Sequence, residues 1–354
     1  MLYSLRYLAD DSPINAQAIA TFAAENSQAT NATADGAGTS PGGLSPEVVA
    51  ALSTVFGPLP DSAPPSAYEM TPALVDLGRT LFYDPRLSIS QTMSCNDCHP
   101  LDNYGVDNFV RSIGVNGKPV ERNTPTVYNA ALHVSQFWDG RSPDVEDQAT
   151  RPVVTASEMG MLDDEMVHNT LNAIPVYAKM FEAAFPNDSN PMTLKNVGIA
   201  IGAFERGLLT PSRFDLYLKG DFTQLTEQEQ RGMAKFIELR CATCHVGATL
   251  GGLSYKRLGE YEPYETEDVG RYNVTGQDED KYVFKVPSLR NVAKTAPYFH
   301  DGSVETLDQA VRIMVRHQLG KTVTDEEVAD VVAFLNALTG ELPTDYIAQP
   351  VLPN

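Results

Sequence analysis

The chain has 354 residues, 42% of them hydrophobic, and a formal net charge of −20 at pH 7; that length gives room for two ordinary domains with normal cores. The charge excludes nucleic acid and anionic membrane surfaces as partners, because phosphate recognition needs clustered Lys and Arg, while it suits a basic protein partner as well as plain solubility. No stretch reaches the ~20 consecutive apolar residues that a membrane-spanning helix needs, so no transmembrane segment is expected.

Residues 1–66 read as a flexible N-terminal segment and linker. Met1 to Ala9 carries one Arg and some apolar residues, but Asp10 and Asp11 cut it short, so no export signal is evident. Ile14 to Ala24 has the pattern of a short helix. Ser27 to Gly43 is rich in Ala, Thr, Asn, Gly and Ser, as linkers are. Pro58, Pro60, Pro64 and Pro65 punctuate the entry to the first folded unit.

A first domain is expected over 67–211. Thr71 is an N-cap with Pro72 at the first helical position. Leu74, Leu77, Leu81 and Phe82 follow at helical spacing, and Asp84-Pro85-Arg86 stops the helix. Cys95-Asn96-Asp97-Cys98-His99 comes next. Gly105 to Thr126 reads as a loop, and helices are expected near Asp163–Leu171, Val176–Phe185 and Leu194–Leu209. A second domain, 212–345, begins past Pro211. Thr226-Glu227-Gln228-Glu229 is a capping box that opens a helix leading into Cys241-Ala242-Thr243-Cys244-His245. Thr324 to Ala337 closes the domain, with Val328, Val331, Val332 and Leu335 as its apolar face. Residues 346–354 read as a tail.

The two Cys-x-x-Cys-His stretches carry the strongest signal, and they use all four cysteines of the chain. Two thiols one helical turn apart can each form a thioether to a vinyl group of one porphyrin, and the adjacent His then ligates the iron from the proximal side. A single zinc site would accept two Cys-x-x-Cys pairs but would not call for a His after each. The fold class is therefore mostly α: two cytochrome c-like domains, each with one covalently bound haem c, joined by long loops. Covalent haem attachment takes place outside the cytoplasm, which points to a periplasmic location.

Further motifs carry a family resemblance over roughly Leu77 to Leu338. They are Leu81-Phe82-Tyr83-Asp84-Pro85-Arg86-Leu87-Ser88, Asn123-Thr124-Pro125-Thr126-Val127, Gln136-Phe137-Trp138-Asp139-Gly140-Arg141, Glu158-Met159-Gly160-Met161, Phe284-Lys285-Val286-Pro287-Ser288-Leu289-Arg290-Asn291 and Pro297-Tyr298-Phe299-His300-Asp301-Gly302. In this order the chain resembles the bacterial di-haem cytochrome c peroxidases, in the superfamily that also holds the MauG-like enzymes.

The resemblance implies reduction of hydrogen peroxide at the N-terminal haem. Electrons would pass through a higher-potential C-terminal haem from a small donor, a cytochrome c or a copper protein such as a cupredoxin. His99 and His245 match the proximal ligands and Met314 the distal Met of the second haem, whose thioether favours ferrous iron. By itself Met314 reads as a core methionine sharing a helix face with Val311. Trp138, the only Trp, matches a Trp between the haems; its plain reading is a buried aromatic anchor. Glu158 matches the carboxylate above the peroxide site, where one carboxylate can take and return protons in turn; alone it would read as a helix-end surface charge. Gln148 matches a polar pocket residue, or else a solvated helix face. Asn123, Thr295 and Pro297 match positions that bind calcium between the domains through hard oxygen donors. Relatives commonly form homodimers; the residues leave monomer and homodimer open.

One departure is informative. Many relatives carry a His in a Ser-Ile-Gly-His context after the first haem motif, and it caps the peroxide-side iron until the other haem is reduced. Here the context reads Ser112-Ile113-Gly114-Val115, and Val115 cannot ligate iron. The first haem is then expected to be open when fully oxidised, unless Lys118 or His133 substitutes. His168 and His317 read as surface residues, and His300 has no assigned role. Two other readings stand beside the peroxidase: a MauG-like oxidase that modifies Trp or Tyr of a partner protein, favoured by Val115 and disfavoured by Met314, and a non-catalytic di-haem electron carrier, disfavoured by Glu158.

Overall fold

The computed structural model describes residues 52, 54–63 and 67–354. Most of the N-terminal segment, including the helix expected at 14–24, lies outside the described residues. The chain divides into two compact units. Among the described residues, the first-motif unit comprises those of 61–209, 295–305 and 342–354, and the second-motif unit comprises 52, 54–60, 210–294 and 306–341. The stretches 295–305 and 342–354 thus pack with the first motif although they lie far along the chain. Ile347 is buried in that core, and its carbonyl accepts from the Tyr83 hydroxyl at 2.5 Å. Isolated contacts of this kind leave no periodicity in the sequence.

The first-motif unit contains α1 (Pro72–Phe82), α2 (Cys95–Cys98), α3 (Val145–Val154), α4 (Asp164–Asn172), α5 (Pro175–Ala184) and α6 (Leu194–Glu205). The Thr71 side chain caps α1 by accepting from the Leu74 amide, and Pro72 fills the first turn. Asp144, Asp163 and Thr193 cap α3, α4 and α6 in the same way. The apolar residues of α1 read in the sequence, Leu74, Leu77, Leu81 and Phe82, are all buried.

The second-motif unit contains α7 (Arg213–Leu218), α8 (Glu227–Glu238), α9 (Tyr272–Thr275), α10 (Leu307–Ile313) and α11 (Asp325–Ala337). Its two short strands, β1 (Tyr255–Arg257) and β2 (Val283–Lys285), pair antiparallel with Lys256 opposite Phe284. Capping boxes open α8 at Thr226/Glu229 and α11 at Thr324/Glu327.

The two units repeat one plan. In each, the helix before the motif crosses the closing helix at a glycine. A Cβ on Gly78 of α1 would stand 1.8 Å from the Ala200 carbonyl of α6, and a Cβ on Gly232 of α8 would stand 1.8 Å from the Asp330 carbonyl of α11. Only glycine allows backbones this close. We expect Gly78→Ala to destabilise the unit by ~1–3 kcal/mol, the cost of overpacking a tight crossing, read as a lower urea midpoint by circular dichroism. An unchanged midpoint would mean that the crossing simply opens.

The loops repeat as well, at an offset of 162 residues. Pro125, Asn129, Phe137 and Gly140 correspond to Pro287, Asn291, Phe299 and Gly302. Asn129 and Asn291 both hold φ near +60° (60° and 61°), and so do Phe137 and Phe299 (65° and 68°). The Gln136–Ser142 bridge recurs as Tyr298–Val304. In this register Trp138 corresponds to His300.

Candidate functional site

In each Cys-x-x-Cys-His stretch the local fold fixes the His ring through its Nδ1. In the first, Ser94 and Asp97 form a capping box that starts α2 at Cys95, and the His99 amide donates to the Cys95 carbonyl at 2.9 Å. The His99 Nδ1 lies 3.2 Å from the Gly105 carbonyl. In the second, the His245 amide donates to the Cys241 carbonyl at 3.0 Å and Nδ1 lies 3.1 Å from the Leu250 carbonyl. The backbone of Pro125 and of its counterpart Pro287 also bonds the respective His. A donor hydrogen on Nδ1 leaves Nε2 as the lone-pair nitrogen of each ring. Burial lowers both imidazoles, His245 to about 4, which keeps them neutral.

The thiols fit the same purpose. Burial pushes Cys98 up to about 11 and Cys241 up to about 12. A single zinc site built on both pairs would need all four sulfurs at one point. The two pairs lie in different units. The donor set therefore fits a haem c in each unit.

Glu158 sits on a turn that follows α3. Its amide donates to the Thr155 carbonyl at 2.9 Å, and its own carbonyl accepts from the Val115 amide at 2.8 Å. The Met159 amide reaches back to Pro152 at 3.0 Å. The turn is thus stitched both to α3 and to the 112–118 loop, so the departure at Val115 is a direct backbone neighbour of Glu158. Burial raises the Glu158 carboxyl above the usual range; Arg141 pulls it down and Glu121 pushes it further up. Glu158 also bears electrostatically on the Cys98 thiol. It is half-buried, not the solvated helix-end charge of its plain reading. Gln148 stands half-buried on α3, the helix that leads into this turn.

Trp138 donates from Nε1 to the Asn123 carbonyl at 2.9 Å, and its ring meets the edge of His300 at 6.4 Å. Arg141 stacks on Phe137 at 3.5 Å and pairs with the buried Asp139 at 3.0 Å, where Arg122 joins it at 2.5 Å. Asn123 is held in the same cluster. Its amide donates to the His300 carbonyl at 2.8 Å, and its Nδ2 to the carbonyls of Phe109 and Val110 at 3.0 and 3.3 Å. With Nδ2 so committed, Oδ1 is its remaining side-chain donor for a cation. Thr295 and Pro297 belong to the same unit, on the segment that Asn108 anchors through the Ala296 carbonyl at 2.6 Å.

Met314 opens a π-helical turn, Met314–Gln318, that continues α10. Its neighbours Val311 and Val315 are buried in the core against which Cys241 packs. Such turns recur at functional positions. Among the remaining histidines, His168 and His317 are half-buried with Nδ1 near backbone carbonyls, at 2.8 Å from Met192 and 3.0 Å from Glu262. His300 is buried at 2% exposure. Lys118 is exposed and His133 half-buried. The sequence reading passed over the paired Phe-Trp-Asp-Gly and Phe-His-Asp-Gly turns as a repeat; their constant offset would have revealed them.

Fold and site together define a protein of two cytochrome c-like units, each built around one Cys-x-x-Cys-His motif. Residues 72–223 match the di-haem cytochrome c peroxidase family. The chain is 43% identical over 284 residues to the cytochrome c551 peroxidase of Pseudomonas aeruginosa, spanning 78% of this chain and 81% of that one. It is 32% identical over 334 residues to the methylamine utilization protein MauG of Methylorubrum extorquens, spanning 91% and 93%. A solved MauG-like protein associated with microbial copper homeostasis is similar with a TM-score of 0.72 and 32% identity, over 82% of this chain and 95% of that one. This chain belongs to the di-haem cytochrome c peroxidase family.

Proposed function

We propose that the protein reduces hydrogen peroxide to water with two electrons from a small redox protein. The observation that carries this reading is Glu158, a half-buried carboxyl with raised proton affinity, held by backbone bonds beside the first Cys-x-x-Cys-His motif. His99, Cys95 and Cys98 would hold one haem c; His245, Cys241, Cys244 and Met314 would hold the other. When bound, the haems supply the iron at which peroxide is reduced and the store of electrons that reduces it. Glu158 takes a proton from peroxide and returns one to the departing oxygen, a role that the proton affinity raised by its burial favours. Gln148 orients peroxide, and Trp138 shapes the path for electrons. Asn123, Thr295 and Pro297 hold a calcium ion. The acidic surface, with net charge −20, attracts a basic donor such as a cytochrome c or cupredoxin. Covalent attachment of haem, which takes place outside the cytoplasm, supports a periplasmic location.

Val115 supports a site that needs no reductive opening, since its side chain offers no ligating atom. The test is steady-state peroxide turnover with a reduced cytochrome c, begun from fully oxidised and from half-reduced enzyme. We expect equal and immediate activity. A lag in the oxidised form would show that another residue caps the first iron. Val115 also favours a second reading, a MauG-like oxidase of protein side chains; no turnover with the donor, while peroxide still oxidises the haems, would select it.

A further inference from the structure

Glu205 ends α6 and is 3% exposed. Its Oε2 is buried without a hydrogen-bond partner. Burial, and then the Glu146 carboxylate, push its pKa up to about 8 against the pull of Arg206. The Arg206 guanidinium is itself engaged by Glu146 at 2.7 Å.

The internal repeat shows what this position holds elsewhere. The closing helices of the two units run at an offset of 130 residues. Ala200 and Asp330 mark the two glycine crossings. The carbonyls of Leu208 and Leu338 accept from the corresponding amides of Asn129 and Asn291, at 2.8 and 3.1 Å. The same register sets Glu205 against Leu335, a core leucine at 4% exposure. Packing alone is satisfied by leucine there, and an unpaired buried carboxyl costs stability. The acid stands only in the first-motif unit, and after burial it is the largest influence on the Cys95 thiol.

We infer that Glu205 is the proton partner of the first haem: its carboxylate binds one proton from solvent as that haem gains one electron from the donor, and releases it when the electron leaves. This rests on the reading of Cys95 as a haem attachment. One added negative charge at the haem raises the proton affinity of a nearby carboxylate, and low dielectric makes the coupling strong. Other charges around Glu205 are accounted for. Glu146 of α3 is tied to Arg206 and to the Tyr68 hydroxyl at 2.5 Å. Arg79 of α1 pairs with Asp76 at 3.1 Å. The turn Ala130–Leu132 is apolar. α4 meets the opposite end of α6, where Asp164 accepts from the Leu194 amide.

The test is the midpoint potential of each haem against pH, from mildly acid to alkaline, in the holoprotein and in Glu205→Leu and Glu205→Gln. Covalent haem is counted first as the pyridine haemochrome. We expect the first-haem potential of the unsubstituted protein to be flat in mild acid, where Glu205 is already protonated, and to fall as pH rises past about 8, and both variants to lose that slope while the second haem keeps its own profile. Glu205→Leu copies the repeat and Glu205→Gln keeps the shape, so at least one variant folds. The same slope in both variants would overturn the inference. Fewer than two covalent haems per chain in the unsubstituted protein would overturn the cofactor reading and the inference with it.

Discussion

Replacing Glu158 by Gln is expected to cut peroxide turnover by ~10²–10⁴-fold, the range that a positioned acid–base group supplies, with haem content and visible spectra unchanged. The amide keeps the shape and the backbone bonds that hold the turn, so the loss isolates the proton. The pH profile adds a sign. Burial raises the Glu158 carboxyl, opposed by Arg141 and reinforced by Glu121. As a base it must be ionised, so activity falls as pH drops through its raised pKa. The Gln variant keeps its low residual rate across that range with no acid limb. A variant that loses rate but keeps the limb would assign the base elsewhere, with Gln148 excluded because it does not titrate. Turnover near that of the unsubstituted protein would remove Glu158 from the reaction.

The parts of this site that the sequence shows are those with local chemistry. Cys-x-x-Cys-His is legible because two thiols and an imidazole fall within five residues. Thr71-Pro72 and Thr226/Glu229 are legible because capping needs only the first turn of a helix. Glu158 was visible only through the resemblance, because burial is what separates it from a surface charge, and burial comes from the 112–118 loop and α3. The placement of Asn123 depends on contacts with Phe109, Val110 and His300, which no periodicity encodes. Glu205 is hidden for a similar reason: on a helix pattern a Glu before Arg206 reads as solvated, and only its burial, together with the register that aligns it with the core position of Leu335 in the other unit, sets it apart. The joining of 295–305 and 342–354 to the first-motif unit is a property of chain return, settled by isolated contacts such as Tyr83 with Ile347.

Arg290→Ala is expected to destabilise the second-motif unit by ~3–5 kcal/mol, because it strands a buried carboxylate. Arg290 is 1% exposed and grips Asp215 by two bonds, Nη1 to Oδ2 at 2.6 Å and Nη2 to Oδ1 at 2.8 Å. Asp215 also accepts from the amides of Leu59 and Ser212, each at 2.7 Å. Burial alone would raise Asp215; the Arg290 charge, its bonds and those two amides outweigh it and hold the carboxyl below its usual value. A depressed carboxylate stabilises the fold above its unfolded pKa of ~3.9 and loses that contribution as pH falls through the lower folded value. The deficit of the variant should therefore be full at neutral pH and shrink in acid below about pH 4, as urea midpoints across pH would show. The same side chain reaches the second site, since its Nε donates to the Ala248 carbonyl at 2.8 Å. Ala248 lies on the loop between His245 and Leu250, whose carbonyl holds the His245 ring. Loss of Arg290 should then disturb the spectrum and potential of the second haem while those of the first stay as they were. A variant equally stable at neutral pH would show that Asp215 is satisfied by its amides alone, and the ion pair would then be a consequence of the fold instead of one of its supports.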